Sequence, residues 1–208
     1  MATTAPSAAL IAGAAATSLL LGVGLWFSFA EGDGLAACRD GGGVIGADIG
    51  GPFTLTDDTG ARVTEEQVLD RLTLLYFGYT HCPDFCPTDA ATMAAAADML
   101  AERGVDVNTV FVTIDPARDT PEALAAFTDA MHPDMIGLTG SEEDIAAAAR
   151  AWRVYYARAG DDPDYYLMDH STFTYLAHPE RGLLDFFRHG DAPEVLAERT
   201  ACFADALR

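Results

Sequence analysis

The chain contains no lysine: its twelve basic residues are all arginine, set against 32 acidic ones for a formal net charge of -20 over 208 residues. A body so poor in cations is repelled by phosphate backbones, which excludes nucleic acid as a partner. Charged side chains are absent altogether from residues 1–30, so the whole imbalance falls on residues 31–208. Cysteine is scarce, at four, and no second Cys or His pair at short spacing accompanies Cys82 and Cys86, which excludes a structural zinc knot. What is present excludes disorder, since half the residues are hydrophobic and a tenth aromatic. The length suits one domain with an appendage.

The appendage is N-terminal. Ala8 to Ala30 is a 23-residue uncharged run; as a helix it reaches about 35 Å, enough for a hydrocarbon core of about 30 Å. Trp26, Phe27 and Phe29 gather at its far end, where interfacial aromatics belong. The run exceeds a signal-peptide core of about 7–15 residues, has no basic segment before it, and has no polar face to suit a buried core helix. Residues 1–30 are therefore expected to be a single-pass transmembrane anchor. Leu35-Ala36-Ala37-Cys38 looks like a lipobox, but Glu31 and Asp33 separate it from the apolar run; lipidation of Cys38 stands as the alternative. The acidic body and the four cysteines favour an N-in, C-out arrangement in a bacterial-type inner membrane, with the C-terminal domain in the oxidising periplasm.

Residues 31–51 are Gly-rich and read as a linker, leaving 52–208 as the globular domain. There, buried-strand runs alternate with helical patterns. Phe53–Leu55, Leu72–Tyr79, Val107–Ile114 and Met135–Leu138 read as strands, and Thr88–Arg103 as a helix stopped by Gly104. Thr120-Pro121-Glu122 and Ser141 open two further helices. Ser171–Ala177 and Leu183–Arg188 pair as a hairpin, and Pro193–Leu207 closes the chain as a helix. This order predicts an α/β fold with a mixed central sheet and helices on both faces.

The chemistry is concentrated where the first buried strand meets its helix, at Gly78-Tyr79-Thr80-His81-Cys82-Pro83-Asp84-Phe85-Cys86-Pro87-Thr88-Asp89. Unpaired N–H groups and the helix dipole stabilise thiolates at such a junction, and a thiolate is both nucleophile and soft metal ligand. Buried inert cysteines would need no such setting. His81, when protonated, would add positive charge beside Cys82.

This segment resembles the CxxxC signature of the Sco/SenC family of membrane-anchored, thioredoxin-like proteins. Ile114 to Glu122 (IDPARDTPE) resembles the family's DPxRDTPE motif, and Tyr165 to Ser171 (YYLMDHS) resembles the segment that supplies its histidine ligand. The resemblance spans roughly residues 50–205. It implies a thioredoxin-like fold, copper as Cu(I) or Cu(II) held by Cys82, Cys86 and His170, and a redox-active Cys82–Cys86 pair. It further implies a chaperone role toward the copper-binding subunit of cytochrome c oxidase, with other copper carriers or thiol reductants as further partners. Two thiolates hold Cu(I), and an added imidazole makes Cu(II) tolerable. Reduction of the oxidase subunit's copper-ligand cysteines, without metal delivery, is the alternative; a peroxidase or a tethered binding module ranks behind both. Asp169 is a candidate to orient the His170 ring. Asp119 or Thr120 is expected to cap the following helix, with Arg118 pairing locally; the role of Asp115 stays open. Tyr155, Tyr156, Tyr165 and Tyr166 are expected in sheet packing, and Met93 and Met99 in the core. No role falls to His132, His178 or His189.

With Cys82 and Cys86 given to the site, Cys38 and Cys202 remain, one near each end of the exported domain. A structural disulfide between them is expected. A lipidated Cys38 and a Cys202 buried unpaired on a helix face are the rivals.

Overall fold

The computed structural model describes residues 34–39, 49–160, 162 and 165–208. The leader expected to cross a membrane lies outside these residues; among those described, no helix is long and apolar enough to do so. The chain divides at Cys38. Gly34–Ala37 belongs to a 3-10 turn, Gly34–Cys38, and the fold that follows is that of Cys38–Arg208.

In chain order the elements are β1 (Thr54–Asp57), β2 (Arg62–Thr64), α1 (Glu65–Val68), β3 (Thr73–Gly78), α2 (Phe85–Glu102), β4 (Asn108–Thr113), α3 (Pro121–Met131) and β5 (Met135–Thr139). After these come α4 (Glu142–Ala151), β6 (Tyr156–Ala159), β7 (Leu167–His170), β8 (Phe173–His178), β9 (Gly182–Arg188) and α5 (Pro193–Ala206). Seven strands form one mixed sheet in the order β2-β1-β5-β4-β3-β8-β9. The centre, β5-β4-β3, is parallel, as helical crossovers require, and β1 and β8 join it antiparallel.

Alternation along β3 sends successive side chains to opposite faces. Tyr76 stacks on Phe111, which meets Phe127 of α3. Phe77 instead meets Trp152, just past α4, and Tyr175 of β8. Helices therefore cover both faces, and all six residues of β3 are buried. Each large apolar side chain buried there contributes about 1.5–3 kcal/mol.

Two local differences from the sequence reading matter for the site. Helix α2 begins at Phe85, three residues ahead of the expected Thr88, because a proline is tolerated in the first helical turn and Pro87 does not stop it. Cys86 thus sits inside the helix. Secondly, β6 and β7 form a separate two-stranded sheet in which Tyr156 faces His170. His170 ends β7 rather than opening the strand at Ser171, because a four-residue strand mixing Leu, Met, Asp and His carries no readable period. The short elements β2 and α1 escaped the pattern for the same reason.

Candidate metal centre

Cys82 lies in the loop between β3 and α2, its N–H bonded to the carbonyl of Tyr79 at 3.2 Å. The backbone N–H of Cys86, in the first turn of α2, points at the Cys82 sulfur at 3.4 Å. The fold returns His170 to this spot from 84 residues further along, with Nε2 3.5 Å from the Cys86 sulfur. One donor atom from each of Cys82, Cys86 and His170 falls within 4.8 Å of the others, and no other such metal-holding group occurs among the described residues.

The imidazole is oriented by backbone. His170 Nδ1 is 2.8 Å from the carbonyl oxygen of Ser171. A carbonyl only accepts, so in the neutral ring Nδ1 carries the proton and Nε2 turns its lone pair toward the cysteines. Asp169 does not take that role; neighbouring strand residues point to opposite faces, and the nearer acceptor is the following carbonyl. Tyr76 and Tyr79 close on the ring edge-on, with centroids 6.1 and 5.9 Å away.

The two thiols are unlike. Cys82 is driven below the usual thiol range, first by a hydrogen bond from the Cys86 thiol and then by the backbone N–H groups of Cys86, Asp84 and Phe85, with burial opposing. Cys86 is driven up by that same bond and by its burial. Metal-free, the pair is a thiolate at Cys82 served by a protonated thiol at Cys86. Cys86 is fully buried, whereas Cys82 and His170 line an open cavity of about 440 Å³ with Tyr79, Phe85, Tyr155 and Leu167. A soft ion reaching that cavity meets two sulfurs and one nitrogen, a donor set that suits copper.

Three supports of the site were not apparent from the chain. Gly78 makes room for the Cys86 sulfur, since a Cβ there would lie 2.8 Å from it. Asp119, fully buried, accepts hydrogen bonds from the Thr80 N–H at 3.0 Å, the Thr80 hydroxyl at 2.6 Å and the Thr113 hydroxyl at 2.7 Å. It thereby holds the loop that leads into Cys82, while Thr120 caps α3. Asp115 pairs with Arg118 and accepts the Tyr166 hydroxyl at 2.8 Å. Only the local Arg118 pairing was legible from spacing.

The remaining candidates lie elsewhere. The exposed His81 faces Asp119 at 3.6 Å and stands outside the donor group. Tyr155 and Tyr165 are exposed rather than packed in a sheet, and Tyr155 lines the cavity. Met93 is core and Met99 half-buried. His132 contacts Asp98; His189 binds Asp89 at 2.8 Å and packs edge-on against Phe85. Cys38 and Cys202 are joined as a disulfide, Cα atoms 5.6 Å apart, so Cys38 presents no thiol for a lipid.

The SCO1/SenC family profile matches residues 44–205. Protein SenC of Rhodobacter capsulatus is 48% identical over 202 residues, which cover 96% of this chain and 91% of that protein. The mitochondrial SCO1 homolog 1 of Arabidopsis thaliana is 45% identical over 152 residues, 73% of this chain but only 46% of that longer protein. The crystal structure of Arabidopsis thaliana ScoI with copper bound superposes with a TM-score of 0.72 at 42% identity, over 77% of this chain and 99% of that one. The match takes in both cysteines, the histidine and the sheet that brings them together, and the chain belongs to the SCO1/SenC family.

Proposed function

We propose that this protein is a copper-carrying assembly factor that binds copper as cargo through Cys82, Cys86 and His170 and supports maturation of the copper site of cytochrome c oxidase. The observation that carries the reading is the convergence of the three donor atoms within 4.8 Å, with Cys82 and His170 lining a cavity and Cys86 buried behind them. The copper-bound structure of a relative supports the metal's identity. The residues divide the work: Cys82 offers a thiolate, the Ser171 carbonyl keeps the His170 lone pair on the site, and Tyr76 and Tyr79 fix the ring's tilt. Burial shields Cys86 from bulk water. Residues 1–30 act as the inner-membrane anchor and hold the domain of residues 52–208 in the periplasm, joined by the linker 31–51, beside the oxidase's copper-binding subunit.

A second activity rests on the inequality of the two thiols. A low-pKa Cys82 next to a protonated Cys86 is suited to attack a partner disulfide and then resolve it as a Cys82–Cys86 disulfide. On this alternative the protein reduces the oxidase subunit's copper-ligand cysteines without delivering metal.

Copper titration of the reduced full-length protein tests the three-ligand site. Cu(II) should bind one-to-one with an intense thiolate-to-copper absorption that vanishes in Cys82→Ser or Cys86→Ser. His170→Ala should lose Cu(II) and keep Cu(I), which two thiolates satisfy. An unchanged Cu(II) spectrum in His170→Ala would sink the ligand assignment. Copper held stoichiometrically after verified oxidation of Cys82 and Cys86 would sink the site, because a disulfide offers no thiolate.

A further inference from the structure

The strand that carries His170 is not part of the main sheet; it pairs only with β6 in its own two-stranded sheet. The Ser171 N–H bonds the Tyr155 carbonyl at 2.9 Å and the Tyr155 N–H bonds the Ser171 hydroxyl at 3.1 Å, but these ties close the hairpin on itself. On its C-terminal side His170 runs within three residues into Phe173, where β8 joins β3 in the main sheet; on its N-terminal side no sheet ladder ties β6 and β7 to the cysteine loop, and side chains must do so.

Tyr166, the residue before β7, provides that link. The Arg118 guanidinium lies 3.7 Å from the centre of its ring and the Arg158 guanidinium 3.9 Å. Two like-charged groups so close to one centroid fit only on its opposite faces, so the ring is sandwiched. The Tyr166 hydroxyl donates to Asp115 at 2.8 Å, and Arg118 donates to the Tyr166 carbonyl at 3.0 Å through Nη1 and to Asp115 through Nε. Asp115 and Arg118 lie just past the end of buried β4, which pairs in parallel with β3, the strand that leads into the cysteine loop. Arg118 also lies 5.8 Å from the Tyr79 ring, the ring that meets His170 edge-on. One guanidinium thus touches the root of the histidine strand and the aromatic wall of the site.

We infer that Tyr166, clamped by Arg118 and Arg158 and tied to Asp115, is the positioning residue that seats the His170 hairpin against the cysteine loop. This rests on the proposed three-ligand site. The clamp contributes no ligand, so it acts on the metal state that needs the imidazole and leaves the state held by two thiolates nearly untouched.

The test compares Cu(II) and Cu(I) affinities, and the Cu(II) absorption, of the full-length reduced protein and its variants. Tyr166→Leu removes ring and hydroxyl and should weaken Cu(II) about tenfold or more, the scale on which groups behind a ligand act, while Cu(I) affinity changes less than about threefold. Tyr166→Phe keeps the sandwich and should recover most of the Cu(II) affinity. Arg118→Lys, which lacks the planar face, should behave like Tyr166→Leu. A far-UV circular dichroism spectrum and a urea midpoint close to those of the parent protein show that a variant is folded. Should Tyr166→Leu not fold, the exposed Arg158→Gln strips one face of the ring and should give a partial Cu(II)-only loss. Unchanged Cu(II) affinity in folded Tyr166→Leu, or in Arg158→Gln where Tyr166→Leu does not fold, with His170→Ala still defective, would overturn the clamp alone. Unchanged Cu(II) binding in His170→Ala would overturn the three-ligand site and the clamp with it.

Discussion

Gly78 and Cys86 are in contact in a way that no other residue at position 78 permits: a Cβ there would stand 2.8 Å from the Cys86 sulfur, 2.8 Å from Tyr76 and 2.9 Å from Phe111. The sulfur occupies the space of the missing side chain, at the point where β3 gives way to the cysteine loop. The buried ligand therefore owes its place to a glycine in the strand beneath it.

Gly78→Ala should consequently destabilise the protein by about 1–3 kcal/mol, the range for added volume in a packed core. It should also weaken copper, because the atom that must give way is a ligand sulfur. Urea midpoints and copper affinities measured together check this; an unchanged midpoint would show that the strand end moves freely.

The lowered pKa of Cys82 and the raised one of Cys86 predict a pH profile. An ordinary thiol, with pKa about 8.5, loses reactivity about tenfold per unit as pH falls below it. In the metal-free reduced protein, the iodoacetamide rate at Cys82 should instead stay nearly flat from about pH 8 to about pH 6, with buried Cys86 unmodified. The stability signs follow. The depressed Cys82 stabilises above the ordinary thiol value, and that contribution is lost as pH falls through its folded value. The raised Cys86 stabilises below the ordinary value and loses that contribution as pH rises past it. These two contributions together peak near the ordinary thiol value, at about pH 8.5. A Cys82 rate that climbs tenfold per unit from pH 6 to 8 would contradict the assignment.

Asp119→Ala leaves two threonine hydroxyls and the Thr80 N–H without their buried acceptor. A loss of about 3 kcal/mol is expected, typical of hydrogen bonds to a charged group, with Asp119→Asn milder. Copper affinity should fall too, since Thr80 stands two residues before Cys82. Thermal melts and copper titrations of both variants decide the matter; wild-type values in Asp119→Ala would refute the role.

The Cys38–Cys202 disulfide spans 164 residues of sequence. Closing so long a loop restricts the unfolded chain by up to about 5 kcal/mol in the entropy model, and delivered values are often smaller. Cys202→Ser should lower the urea midpoint while leaving copper binding intact. Non-reducing peptide mapping of protein from its native membrane should show the linked pair; a lipid on Cys38 or a free Cys202 thiol would exclude it.

Local chemistry made much of the molecule readable in the chain. Leu72–Tyr79 and Val107–Ile114 announce strands buried on both faces because apolar runs of that length have no polar face to show water. Thr120-Pro121 and Ser141 mark helix starts because a hydroxyl before the first turn caps its free N–H groups, and both caps form. Cys82 and Cys86 stand out because two thiols at a strand-to-helix junction have a local electrostatic reason to ionise. His170 was legible only through its resemblance to a family segment, since nothing within the chain's local periodicity ties it to residues 84 positions away.

Tertiary structure alone decided the rest, because each remaining feature is a contact between distant segments that no local propensity encodes. It turned the imidazole's Nδ1–H toward the Ser171 carbonyl rather than toward Asp169. It turned Asp119 inward to hold Thr80, and it set Tyr166 between two guanidiniums instead of in a sheet. Spacing names the atoms able to bind a soft metal, but their separation depends on buried partners, a glycine's missing side chain and an arginine clamp, and these exist only once the sheet has formed.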